Sequence, residues 1–301
     1  MRFPLEKKIL LVYNPKAGKA KIKTKIADIL DIFTEAGFEV TACPTGKQGD
    51  AIEIVQNRKP IYDMVVCSGG DGTMDEVVTG MMQSSFRTPI GYIPAGSTND
   101  FGGSLGLSKN MLTAAKQIVK GYNFPCDIGA FNDDVFVYIA AFGIFTEVSY
   151  ETDQEIKNVL GHMAYVLEGM KRLSAIRSYH MKVCYDDQVI EDSFIFGMIT
   201  NSVSVGGFKN ITGKNVKLND GVFEVTLIKE PKNPVELNQI MVSLLNRDID
   251  TGLMYCFRTG SLRIESSEEV AWTLDGENGG IHKEVYIENR HKALEIRVTK
   301  R

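Results

Sequence analysis

Residues 65–76, Val-Val-Cys-Ser-Gly-Gly-Asp-Gly-Thr-Met-Asp-Glu, limit the possible folds more than any other stretch. Val65, Val66 and Cys67 form an apolar run that reads as a buried strand. The chain then turns on Gly69, Gly70 and Gly72 and continues as a helix through Glu76, Val77, Val78 and Met81. A strand that ends in glycines and opens a helix is a ready phosphate site. Glycines let backbone N–H groups approach an anion closely, and the helix N-terminus adds partial positive charge. Asp71 at the tip does not suit an anion directly, because a carboxylate repels phosphate. It suits a loop that orders Mg²⁺ or its waters, or one braced by N–H bonds to Asp71. The glycines alone leave open a tight β–α turn with Asp71 as helix cap.

Around this stretch the periodicity alternates. Strands are expected over 8–13, 38–43, 65–67 and 89–93, with helices after each, the last over 111–120. Four β–α units in roughly 120 residues argue for a parallel sheet covered by helices on both faces. Ligands of such sheets sit beyond the C-terminal strand ends. Four polar loops, 14–18, 45–50, 69–76 and 94–100, should therefore meet there.

The pattern changes after Asp127-Ile128-Gly129. A strand over 135–143 and a helix over 154–176 are followed mostly by short strands: 179–186, 189–200, 222–230, 253–258, 260–265, 270–274, 283–288 and 293–299. One helix near 234–246 interrupts them. Many short strands with turn signals suggest a β-sandwich or barrel-like second domain. The expected class is α/β: a Rossmann-like parallel domain over 1–128, then a larger, mostly antiparallel β-sandwich domain over 129–301. The last strand could pack back on the first domain.

Composition excludes several classes. The chain has 301 residues, 44% hydrophobic and 24% charged, and a net charge of −4, so no bulk attraction to nucleic acid follows. Its five cysteines are scattered without metal spacing and read as buried thiols in a reducing compartment. Residues 1–8 carry no signal-peptide pattern, and no run of apolar residues is long enough to span a bilayer, so a cytoplasmic protein is expected.

Four motifs occur in order: Asn14-Pro15-Lys16-Ala17-Gly18, Gly69-Gly70-Asp71-Gly72-Thr73, Pro94-Ala95-Gly96-Ser97-Thr98-Asn99-Asp100-Phe101 and Leu274-Asp275-Gly276-Glu277. Together they resemble the bacterial diacylglycerol-kinase-like lipid kinases, whose catalytic domain is shared with sphingosine and ceramide kinases. The resemblance covers nearly the whole chain. It implies transfer of the ATP γ-phosphate to a lipid hydroxyl, with diacylglycerol the leading acceptor and phosphatidic acid the product. The nucleotide would lie between the domains, and the second domain would take the lipid.

By motif position the ATP contacts would be Asn14, Thr45, Gly70, Asp71, Gly72, Thr73, Met74, Asp75, Glu76 and Ser97. Asp275 would be the general base, with Glu277 beside it. Without the other motifs, Asp275-Gly276 reads as a plain hairpin turn. Asp71, Asp100 and Asp127 would form a water-mediated Mg²⁺ network; as residues alone they read as caps and turn formers. A second, structural Mg²⁺ would sit on Asp220 and the carbonyls of Lys217 and Val222, a loop that otherwise reads as an ordinary turn. The chain departs from the family at Asp75, usually Asn, and at Ser97, usually Thr.

Lys16, Lys19, Lys21, Lys23 and Lys25 form a basic group, and Lys171, Arg172 and Arg177 a smaller one. Either could touch anionic headgroups at the inner face of a membrane; as residues they read equally as solvated faces. Related enzymes can form homodimers, though no dimer signature is visible. Two other functions fit parts of the pattern. One is NAD-kinase-like phosphorylation of a soluble hydroxyl, which the Gly-Gly-Asp-Gly element allows. The other is a non-catalytic nucleotide-binding regulator, for which Asp75 is the support.

Overall fold

A computed structural model describes residues 7–58, 61–97, 99–144, 176–202, 204–205, 208–209, 216–246 and 252–299. The helix expected over 154–176, with Lys171 and Arg172, lies outside the described residues. The chain divides into two compact units, Met1–Asp127 with Lys292–Arg301, and Ile128–His291.

The first unit contains β1 (Lys7–Tyr13), α1 (Ala17–Ala20), α2 (Ile22–Glu35), β2 (Phe38–Pro44), α3 (Asp50–Gln56), β3 (Met64–Gly69), α4 (Asp71–Gln83), β4 (Ile90–Pro94), α5 (Asp100–Ser104) and α6 (Met111–Lys120). The strands lie in the order β2-β1-β3-β4 and all pair in parallel. Near the chain's end, Ile296 pairs in parallel with Ile90. Ile9, Leu10, Leu11 and Val12 of β1 are fully buried, as a strand covered on both faces requires. Ile9 and Leu11 pack with Ile29 and Phe33 of α2 and Ala114 and Ile118 of α6. Leu10 and Val12, one residue out of phase, face the other side of the sheet. Gly37, at φ +87, lets the chain leave α2 and turn into β2.

The registers align the strand ends: Tyr13 pairs with Pro44 and with Ser68, and Gly69 with Pro94. The four β–α loops therefore leave one edge of the sheet.

In the second unit lie β6 (Asp134–Phe136), β7 (Ile139–Gly143), β8 (Tyr179–Tyr185), β9 (Gln188–Thr200), β10 (Ser204–Val205), β11 (Phe208–Lys209), β12 (Phe223–Lys229), α7 (Pro234–Asn246), β13 (Met254–Thr259) and β14 (Ser261–Leu274). β5 (Tyr122–Phe131) and β15 (Glu277–Val298) each contain a boundary between the units. The pairings inside this unit are antiparallel. β9 and β14 are long, and each pairs with β8 along one half and β7 along the other. They enclose an aromatic core in which Trp272 packs against Phe131 and Phe142, with ring centroids 5.0 and 4.9 Å away.

Several details differ from the sequence expectation: the strand expected over 135–143 is two, β6 and β7. The strands expected over 260–265 and 270–274 are one strand, β14, because shifts in register between Glu265 and Val270 absorb the polar stretch at 266–269. Those expected over 283–288 and 293–299 are likewise continuous in β15. The five cysteines are free thiols: Cys43, Cys67 and Cys126 are buried as expected, but Cys184 is half-buried and Cys256 exposed, each on a strand with one side toward solvent at that position.

Candidate active site

The four loops meet through their backbones. Asn14 N–H donates to Ser68 O (2.9 Å), Thr45 N–H to Tyr13 O (2.9 Å) and Ala95 N–H to Gly69 O (2.7 Å). Two contacts exist only because a side chain is missing. A Cβ on Gly18 would lie 1.8 Å from Ala95 O, and one on Gly96 would lie 2.6 Å from Gly70 Cα.

At the centre, Gly70 is the N-cap of the 13-residue helix α4, and Asp71 stands in its first turn. Thr73 is buried where a Cβ on Gly69 would clash with it. Met74 is 1% exposed, so its side chain belongs to the core and only its backbone could meet a ligand. Asp71, Gly72 and Asp75 are half-buried, Thr45 is buried and Ser97 is exposed. Asn14 Oδ1 accepts from Lys16 N (2.9 Å), which shapes its own loop. Glu76 accepts from Gly49 N (2.9 Å) with Oε1 and from Ala51 N (3.1 Å) with Oε2.

Sequence reasoning missed two residues that support these loops. Asn99, held at φ +55, clamps Gly96 by accepting from its N–H (2.8 Å) and donating to its carbonyl (2.7 Å). The hydroxyl of fully buried Tyr92 lies 3.3 Å from both Gly69 O and Asn99 Oδ1. Burial, then the charge of Asp71, pushes that phenol well above its ordinary range, so it stays a donor. A tyrosine in the middle of the apolar run of β4, two residues before the Pro-Ala-Gly-Ser turn, was the available signal.

Asp100 is 5% exposed and Asp127 fully buried. Asp127 Oδ1 accepts from Lys292 N (2.7 Å), which ties β5 to the chain's last residues within the first unit. Among the described residues no three His, Cys, Asp or Glu side chains gather as a direct metal shell. The carboxylates of Asp71, Asp100 and Asp127 are hard oxygen donors, the kind of ligand that Mg²⁺ takes.

In the second unit, Asp275 (φ +53) and Gly276 (φ +86) form a two-residue hairpin turn, with Leu274 paired to Glu277 across it. Asp275 is only 5% exposed. Its Oδ2 accepts from Val137 N (2.5 Å), and its Oδ1 from Tyr138 N (2.9 Å) and Ile139 N (2.9 Å). The turn residue is thus also a buried, fixed carboxylate. Glu277 is exposed.

Asp220 Oδ2 lies 2.5 Å from Arg258 Nη2, while its Oδ1 is buried with no hydrogen-bond partner among the described residues. Arg258 Nε also reaches Glu224 Oε1 at 3.2 Å. Burial pushes the Glu224 carboxyl up to about 7, against the opposing pull of Arg258.

The diacylglycerol kinase catalytic domain matches residues 8–131, and the YegS C-terminal NAD kinase beta sandwich-like domain matches 139–296. A diacylglycerol kinase of Staphylococcus carnosus (strain TM300) is 34% identical over 278 residues, which is 92% of this chain and 90% of that protein. The chain belongs to the diacylglycerol kinase family. A diacylglycerol kinase of Bacillus subtilis (strain 168) is 31% identical over 91% of each chain. A crystal structure described as a diacylglycerol kinase from Bacillus anthracis str. Sterne superposes with a TM-score of 0.77 at 25% identity, covering 97% of each chain. As a member of that family it is a kinase that transfers phosphate from ATP to an alcohol group. Among its described residues no helix is long and apolar enough to cross a membrane.

Proposed function

We propose that this kinase phosphorylates the primary hydroxyl of diacylglycerol to give phosphatidic acid. The support for diacylglycerol is that its relatives are named diacylglycerol kinases. For ATP it is the backbone convergence of the four loops around the N-terminus of α4. The first N–H groups of α4 and the loop glycines hold the polyphosphate, and the hydroxyls of Thr45 and Ser97 contact the nucleotide. The lipid oxygen attacks the γ-phosphorus, the bond from that phosphorus to the β–γ bridging oxygen breaks, and the attacking hydroxyl's proton passes to the Asp275 carboxylate. The three N–H donors that fix Asp275 hold it in one orientation for that role. When bound, Mg²⁺ would neutralise charge on the phosphates. Asp71, Asp100 and Asp127 would hold it through water. Exposed Lys21, the N-cap of α2, with Lys23 and Lys25 in its first turn, is suited to anionic headgroups at the inner membrane face.

The test is phosphate transfer from labelled ATP in mixed micelles, with diacylglycerol, a sphingoid base, phosphatidylglycerol and NAD as separate acceptors. Label in phosphatidic acid alone is the expected result. Label in another lipid would overturn the substrate and keep the chemistry, and label in NAD alone would overturn the lipid reading.

The second cation is proposed at Asp220 with the carbonyls of Lys217 and Val222. The buried, unpartnered Asp220 Oδ1 supports it, whereas Arg258 on the other oxygen already supplies one positive charge. Calorimetric titration of the nucleotide-free protein with Mg²⁺ should show a binding isotherm that Asp220→Asn removes. Equal Mg²⁺ uptake by the variant would place the cation elsewhere.

A further inference from the structure

Glu76 lies in the glycine-rich motif, yet a carboxylate is a poor partner for polyphosphate. Both of its oxygens accept backbone N–H groups from a different loop, those of Gly49 and Ala51 at the start of α3. Gly49 is the left-handed N-cap of that helix (φ +86), a position with no side chain to satisfy the first N–H groups. Glu76 supplies the missing cap from α4.

The same face of α4 continues the contact. Glu76, Gly80 and Gln83 stand at i, i+4 and i+7, on one side of the helix. A Cβ on Gly80 would lie 2.9 Å from Ile52 O and 3.0 Å from Val55 Cβ, so the two helices pack backbone to side chain there. Gln83 Oε1 accepts from Gln56 Nε2 at the far end. The 45–50 loop is closed on itself as well: Asp50 Oδ2 accepts from Gly46 N (2.7 Å) and Lys47 N (3.0 Å). Those two N–H bonds hold the Asp50 carboxyl below its ordinary range, so it remains an acceptor at neutral pH.

We infer that Glu76 is a positioning residue that caps α3 and locks the Thr45 loop to the glycine-rich helix, so that both present one rigid surface to the nucleotide. This rests on the ATP-site reading above. It makes Glu76 an indirect determinant of ATP affinity and removes it from the nucleotide contacts.

The test compares wild type with Glu76→Ala and Glu76→Gln in the full-length, nucleotide-free protein and during turnover. Amide hydrogen exchange at Gly49 and Ala51 should accelerate about tenfold or more in Glu76→Ala, the loss of two charge-assisted bonds. The KM for ATP should rise by about tenfold while kcat at saturating ATP stays within about twofold. Glu76→Gln, whose carbonyl still accepts one N–H, should fall between. If Glu76→Ala does not fold, the same two readouts on Glu76→Gln decide the matter. Unchanged exchange at both amides would overturn the tether. Faster exchange with an unchanged KM would overturn its role in ATP binding. A loss confined to kcat would make Glu76 a catalytic residue instead. Failure of the wild type itself to bind ATP would be separate, and would overturn the ATP-site reading.

Discussion

Asp275→Asn should keep the fold and ATP binding while lowering phosphoryl transfer by about 10²–10⁴-fold, the usual contribution of a general base. Asparagine is the informative replacement for two reasons. The residue sits at φ +53, a conformation that asparagine tolerates better than most side chains. Its amide oxygen can also still accept from Tyr138 and Ile139, now served by Oδ1 at 2.9 Å each. Only Val137 N–H then faces an NH₂ group, a mismatch that costs about 1–3 kcal/mol. Asp275→Ala would instead strand three buried donors at once and confuse lost chemistry with lost stability. Initial rates, ATP calorimetry and a denaturant melt on the same preparation separate the two. Turnover within tenfold of wild type would reduce Asp275 to a turn former with a well-bonded side chain.

That residue also shows how far sequence reasoning reaches. Asp275-Gly276 was readable as a hairpin turn or as part of a catalytic motif, and the backbone is indeed a hairpin turn. What could not be read was the set of donors, Val137, Tyr138 and Ile139, more than a hundred residues earlier in the chain. Their meeting depends on β7 pairing with β14, a tertiary event with no local signature. The same holds for Arg258, which faces Glu224 only through the register of β12 and β13. By contrast, the parallel α/β unit was legible because apolar runs, glycine breaks and helical spacing alternate without conflict along β1 to α6. Glu76 lay between these cases. Its motif was visible, and motif position implied a nucleotide contact, but its partners at Gly49 and Ala51 belong to a neighbouring helix and left no local trace.

The glycines of the loops were legible as turn formers, yet their strictest requirement is tertiary. Gly18→Ala should be the most damaging small substitution in the first unit. Its φ of +53 is the left-handed region, which costs an L-residue about 1–2 kcal/mol. A Cβ there would also meet Ala95 O at 1.8 Å, a backbone atom that cannot rotate away. Relief requires the 14–18 and 94–97 loops to part, adding about 1–3 kcal/mol of overpacking strain. Parting them displaces Asn14 and Ser97 together, so ATP affinity should fall along with stability, by about tenfold for each 1.4 kcal/mol of lost binding. Gly103→Ala is the matched control. It lies exposed in α5 with nothing within 4 Å of its Cβ position, so alanine there should be neutral or mildly stabilising. Denaturant midpoints and ATP titrations of the two variants side by side make the comparison. A Gly18→Ala protein that melts and binds like the control would show that the loops do not need to touch, and would remove the backbone convergence on which the nucleotide site rests.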